Sequence, residues 1–218
     1  PPTPERVKDD IFDQVNRGGT PLNKQEMRNA LYRGRCTRML DKLCCSPEFL
    51  IATGRSINKE RMKDQYVVLR AIAFLMLHRG EFKDIPALQY RGDIDDFLAR
   101  FMVYVNDNAP EKLIVDYENL FIRCMQISYD LLGENGFRFS GNGIRRPINM
   151  PLFEALSYLF SFVPEKIDYT WASRLILDIE SVKEEFDDSR YFSGNIDSTT
   201  SVSFRFDRMD KIINRIQL

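Results

Sequence analysis

The chain has 218 residues, 44% of them apolar and 29% charged, with a formal net charge of −1. Those proportions suit a globular protein with room for a sizeable core, and the near-zero charge excludes a whole-chain attraction to nucleic acid or to an anionic membrane. The longest apolar run, Tyr66 to Leu77, contains Arg70 and falls well short of the roughly 20 residues that cross a bilayer, so no membrane partner is expected.

After a proline-marked entry, Ile11, Phe12 and Val15 give an apolar edge to a short helix ending near Asn16. Asn16-Arg17-Gly18-Gly19-Thr20-Pro21 follows, where two adjacent glycines make a tight turn. Asn23 with Glu26 three residues on is a capping box, which predicts a helix from Lys24 to about Arg33 with Gly34 as its stop. Met39, Leu40 and Leu43 continue in helical spacing, and Ser46-Pro47 restarts a turn of helix through Ile51. Thr53 to Asn58 reads as a linker. Asn58 is then placed to cap a helix from about Lys59 to His78, whose second half is apolar nearly all round and is expected at the centre of the fold. Arg70 lies inside that stretch, so it must reach the surface by its stem or meet a carboxylate or backbone carbonyls, and the reading is a structural buried charge.

Asp93 caps a helix carrying Phe97, Leu98 and Phe101, stopped at Asn106 to Pro110, and Glu111 to Leu132 is a long amphipathic helix. Gly133 to Gly143 is broken repeatedly by glycine and asparagine. Phe137 and Phe139 alternate with polar residues, which admits a short hairpin near residues 136–146. Further helices are expected from Pro151 to about Val163, from Tyr169 to Phe186 and, after a polar turn at Ser193 to Ser203, through Phe206, Met209 and Ile213. The sum is an all-α fold, one multi-helix bundle over residues 1–218.

A glycine pair before a helix start serves either as a structural corner or as a cradle whose backbone N–H groups and helix dipole meet an anion. Neither G-x-x-x-x-G-K-[ST] nor G-x-G-x-x-G is present. Between Lys24 and Asp64, ten Lys and Arg stand against five Asp and Glu, which is a solvated helix face or a local patch for phosphate or DNA with Arg28, Arg33 and Arg35 as candidate contacts. Catalytic groups are not evident. Cys36, Cys44, Cys45 and Cys124 form no C-x-x-C pair and read as reduced thiols in a cytoplasmic protein, while the single His78 reads as a charge-compatible residue at a helix end. One histidine and scattered cysteines build neither a zinc site, an HNH centre nor a Ser-His-Asp set. Side chains of the adjacent pairs Asp95-Asp96 and Asp187-Asp188 point about 100° apart on a helix, so they do not readily share a metal ion.

The run FDQVNRGGTPLNKQEMRNALYRG resembles the F-x-x-x-N-x-G-G-x-x-L-x-x-x-E-x-R-N-A segment of the GmrS-type family, the ParB-like, nucleotide-hydrolysing domains of modification-dependent restriction and other phage-defence proteins. Three more stretches are similar in the same order: RMKDQYVVLRAIAF from Arg61, RRPINMPLFEAL from Arg145, and STTS before a final helix with Arg205 and Arg208. The Asp-Gly-Gln-Gln-Arg motif, core of the family's nucleotide chemistry, is absent, so the resemblance covers the family's helical rear half only. It implies a ParB-like N-terminal half as partner and a nucleoside triphosphate as ligand of the full-length protein, with no cofactor and no hydrolysis expected from this chain alone. It also implies that Asn16, Gly18, Gly19 and Thr20 contact phosphate or the ParB-like half. A start at Pro-Pro-Thr-Pro without Met suits an excised fragment or a missing front. The alternative is a non-enzymatic helical module that docks a partner protein through its glycine corner and an exposed apolar surface.

Overall fold

A computed structural model describes residues 21–140, 144–166, 168–189 and 191–216. The Ile11 element and the loop Asn16 to Thr20 lie outside these residues. Among them stand nine α-helices and no strand: α1 Lys24–Leu31, α2 Arg35–Cys44, α3 Pro47–Ala52, α4 Lys63–His78, α5 Ile94–Asp107, α6 Glu111–Leu132, α7 Met150–Phe160, α8 Tyr169–Asp187 and α9 Thr199–Ile216. The fold is an all-α multi-helix bundle.

Two helices form its centre. From Val67 to Met76 every residue of α4 is buried, and from Pro151 to Phe160 every residue of α7 is buried. They pack on one another, α9 covers α7, α2 covers α4, and α3 lies on α6. Aromatic side chains fill the joints. Phe74 meets Phe97 on α5 at 5.3 Å and Phe206 on α9 at 5.7 Å, while Phe153 meets Phe49 on α3 and Phe121 on α6.

No hairpin forms from the alternating residues at 137–139. Phe137, Arg138 and Phe139 are all buried, so the alternation marks no wet face. The Phe137 ring lies 4.3 Å from that of Phe153, tilted by 49°, and the Phe137 carbonyl accepts the Asn149 N–H at 3.0 Å, which sets the chain directly into α7. Gly34 likewise has a different part from the expected helix stop. It precedes α2 in an extended conformation, and a Cβ there would lie 2.5 Å from Asn106 Oδ1, so bare backbone is required for close approach.

Arg70 is buried, and its carboxylate partners come from the later chain. Its Nε donates to Glu154 Oε1 on α7, its Nη2 to Asp197 Oδ1 at 2.6 Å, and its Nη1 to the Tyr66 hydroxyl at 3.1 Å. The other Glu154 oxygen accepts from Arg205 Nη2 of α9 at 3.0 Å, and Arg205 Nη1 donates to the Ile196 carbonyl at 2.6 Å. Glu154 and Arg205 are wholly inaccessible and Arg70 nearly so. Burial weakens the hold of Arg205 on its proton, although Glu154 works against this. For Arg70 the carboxylates outweigh burial and the guanidinium is held firmly charged. Glu154→Ala would leave two buried guanidiniums without that carboxylate and should cost about 3–5 kcal/mol in urea unfolding. A loss under about 1 kcal/mol would mean that water reaches the pair.

His78 departs from its expected charged role at the end of α4. It stacks on Phe206 with ring centroids 3.6 Å apart, and its Nε2 has no hydrogen-bond partner among the described residues. Burial, helped by the charge of Arg205, pushes its pKa down from 6.5 to about 3. Between those values the unfolded chain binds a proton that the folded chain refuses. The His78 contribution is therefore intact above pH 6.5 and declines as the pH falls toward 3, by up to about 1.4 kcal/mol per unit. His78→Leu should flatten the acid limb of stability against pH. An acid limb of unchanged slope in that variant would assign the decline to other groups.

Candidate functional site

The start of α1 is built by its own side chains. Asn23 Oδ1 accepts the N–H groups of Gln25 and Glu26 at 2.8 and 2.9 Å, and Glu26 Oε2 accepts the Asn23 N–H at 2.7 Å. This is the capping box that N-K-Q-E announces. The spare amide of Asn23 then donates to the Arg61 carbonyl at 2.7 Å. Arg61 returns the contact, its Nη2 donating to the Pro21 carbonyl at 2.5 Å and to Glu26 Oε2 at 3.0 Å. Arg61 therefore holds Pro21, the residue that follows Thr20, against the first turn of α1.

That clasp shortens α4. The expected start at Lys59 is replaced by a tight 3-10 turn at Glu60–Met62, and Arg61 and Met62 take φ of 55° and 58°. Left-handed backbone at such residues costs about 1–3 kcal/mol each and persists only where tertiary contacts impose it. Here the bonds to Asn23, Pro21 and Glu26 do so. The Arg61 guanidinium also holds the Glu26 carboxyl below its usual range, with the Asn23 N–H adding to the effect.

Beside the clasp lies a cleft of about 530 Å³ between the start of α1, residues 58–63 and the start of α4. Lys24, Arg28, Arg61 and Lys63 line it against two carboxylates, Glu60 and Asp95, and Tyr66 forms an aromatic wall. Arg28 is buried here. Its Nη1 reaches Asp95 Oδ1 at 2.7 Å, its Nε reaches Gln25 Oε1 at 3.1 Å, and its guanidinium lies 5.3 Å from the Tyr66 ring centre. Lys24 bonds the second oxygen of Asp95. Burial alone would raise the Asp95 carboxyl, and the bonds from Lys24 and Arg28 outweigh it and hold it below its ordinary value. Arg28 is thus a fixed wall, whereas Lys24, Arg61 and Lys63 are exposed, so that Lys24 and Arg61 can meet a ligand by exchanging their exposed pairings with Asp95 and Glu26.

Of the three arginines singled out from the sequence, only Arg28 borders this cleft. Arg33 is exposed elsewhere, and Arg35 is turned to the Ala109 carbonyl and Glu111, each at 2.8 Å. Lys24, Arg61 and Lys63 belong to the basic stretch between Lys24 and Asp64 without being singled out as contacts, and Tyr66 enters only with the apolar run; Arg61 and Tyr66 also stand in the second stretch that carries the family resemblance. Asn16, Gly18, Gly19 and Thr20 lie outside the described residues.

Cys36, Cys44 and Cys124 are buried, which pushes their thiols up, that of Cys124 to about 12, while Cys45 is exposed. Among the described residues no group of three or more His, Cys, Asp and Glu side chains is placed to hold a metal ion, and no helix is long and apolar enough to cross a membrane.

Comparison with protein-family models, with curated proteins and with solved structures gave no match to this chain.

Asn23→Ala removes both the cap and the support of the Arg61 carbonyl, and should cost about 1–2 kcal/mol in urea unfolding. Asn23→Asp keeps the cap oxygen but no N–H for Arg61, so it should fall between Ala and the parent. Equal stabilities for parent and Asn23→Ala would separate the clasp from the stability of the fold.

Proposed function

We propose that this chain is the helical half of a nucleotide-dependent defence protein of the GmrS type, and that the cleft beside α1 receives nucleotide phosphates or the face of a ParB-like half. One observation carries the reading: an open cationic cleft with an aromatic wall adjoins Pro21, where the loop Asn16 to Thr20 enters α1. A triphosphate presents three to four negative charges to Lys24, Arg61 and Lys63, and the positive end of the α1 dipole adds to the attraction. A second observation agrees with it. The four stretches that carry the resemblance are tied together by charge and aromatic contacts, from Arg28 over Tyr66, to Arg70, to Glu154, to Arg205.

In this reading the chain supplies binding and positioning. Hydrolysis would need the Asp-Gly-Gln-Gln-Arg chemistry of the ParB-like half, a motif this sequence does not contain. The interaction-module alternative draws on α8, where Tyr169 and Leu177, two turns apart on one side, are 87% and 71% exposed.

Thermal melting with a panel of nucleoside triphosphates tests the proposal, since a ligand that binds only the folded state raises the melting temperature. The parent chain should be stabilised, Lys24→Gln with Arg61→Gln should lose most of the shift, and no phosphate release should accompany binding. If no nucleotide shifts either this chain or the chain joined to a ParB-like half, docking of a protein partner becomes the better account.

A further inference from the structure

A second cationic cleft, of about 630 Å³, opens on another part of the surface between the end of α6, the segment after it and α8. Arg138, Arg145, Arg146 and Lys183 line it. Three of these cations have carboxylate partners: Arg145 pairs with Glu134 at 2.7 Å, Lys183 with Glu180 at 2.9 Å, and Arg146 with Asp187. Arg138 has none. Its side chain is buried, and its donors go to neutral oxygens only: the carbonyls of Glu134 at 3.2 Å, Thr53 at 3.1 Å and Arg146, and the Ser56 hydroxyl.

Satisfied hydrogen bonds do not neutralise a charge. A buried guanidinium without a counter-ion is costly, and here Arg145 stands near enough to add repulsion. Burial and Arg145 both weaken the Arg138 hold on its proton, with the single carboxylate of Glu134 opposing them while it also serves Arg145. The cleft thus carries one positive charge more than the carboxylates around it. Its outer cations are accessible, with side chains 44% exposed at Arg145 and 40% at Arg146. Arg145 is also set in place, since its guanidinium lies where a Cβ on Gly54 would fall 2.1 Å from Nη2. Arg146 lies over the Phe139 ring at 5.4 Å.

We propose that this second cleft binds a phosphate group, with Arg145 and Arg146 as the contacting forks and Arg138 and Lys183 as the fixed charge behind them. Two planar guanidiniums lining one cleft suit the tetrahedral oxyanion, which accepts two parallel hydrogen bonds from a guanidinium when it displaces the exposed pairings with Glu134 and Asp187. The inference stands apart from the reading of the α1 cleft, since the two share no lining residue. They are linked along the chain, however, because the segment 53–63 holds Arg138 of one and lines the other. Thr53 and Ser56 receive Arg138, while Asn58, Arg61 and Lys63 line the other cleft.

The test is melting of the full chain in rising inorganic phosphate, and separately with a 20-base-pair duplex DNA, for the parent, Arg145→Gln, Arg146→Gln and the double variant. Arg145 and Arg146 are half-exposed, so the variants should fold, and circular dichroism checks this. The parent should be stabilised by phosphate beyond the double variant, whose residual shift measures the general salt effect, and each lost fork should weaken binding about tenfold. Stabilisation by phosphate alone assigns the cleft to a free phosphate or small phosphoester. Stabilisation by duplex with a steep salt dependence, lost in the same variants, assigns it to a nucleic-acid backbone. In a Lys24→Gln, Arg61→Gln background the Arg145→Gln, Arg146→Gln pair should still remove the same part of the response, which separates this cleft from any phosphate held by the α1 cleft. Equal responses of the parent and the double variant to both probes, or no response to either, would overturn the proposal.

Discussion

Glu154 is the constraint on which the bundle turns. A carboxylate at the middle of α7 has no water to solvate it, so α7 is acceptable as a core helix only if cations reach it from both sides. Arg70 comes from α4 and Arg205 from α9, one to each oxygen. The three central helices are therefore held in one relative register by a charge that tolerates little displacement. Apolar packing between α4, α7 and α9 supplies most of the burial, yet rows of Leu and Phe slide or rotate at small cost, whereas a buried guanidinium drawn away from its carboxylate does not. Asp197 completes the charge balance from the loop before α9, and the Tyr90 hydroxyl donates to the Asp197 carbonyl.

The same network reaches the surface through Tyr66. Its hydroxyl accepts from Arg70, its ring lies beside the Arg28 guanidinium, and Arg28 holds Asp95 in the wall of the α1 cleft. The shape of that cleft therefore rests on the centre of the bundle as well as on the local cap. The left-handed backbone at Arg61 and Met62 belongs to this arrangement, because it turns the Arg61 side chain back toward Pro21 and Glu26.

How much of this is legible without the fold depends on whether the signal is local. The capping box of Asn23 and Glu26, the Asp93 cap of α5 and the long amphipathic α6 stand in the residue order, because each is made by neighbours within one turn. Arg70 in an apolar run announces that a partner exists but not which, since a glutamate far along the chain looks like any other until α7 is known to be buried all round. The backward turn at Arg61 and Met62 is not readable, as both residue types favour helix and bonds from a distant segment overrule them. His78 misleads for the same reason: a histidine at a helix end suggests a cation, and only the Phe206 ring against it reveals a half-buried residue held neutral. Arg138 is the hardest case, a basic residue in a glycine-rich stretch whose burial depends on the carbonyl of Thr53 from another part of the chain.

The corner between α1 and α2 has a dependence of its own. Asn106, in the last turn of α5, donates to the Tyr32 carbonyl and accepts the Cys36 N–H at 2.9 Å each, filling the space that a side chain at position 34 would occupy. A corner between two helices adjacent in sequence is thus closed by a side chain from much later in the chain. Translation delivers α1 and α2 well before Asn106 emerges, so the nascent corner meets water at the positions Asn106 will take. The corner acquires its final geometry only as α5 docks, which makes residues 32–36 and Asn106 one unit of assembly in spite of their separation. Over evolutionary time that unit should change together, with any side chain gained at position 34 matched by a smaller one at position 106.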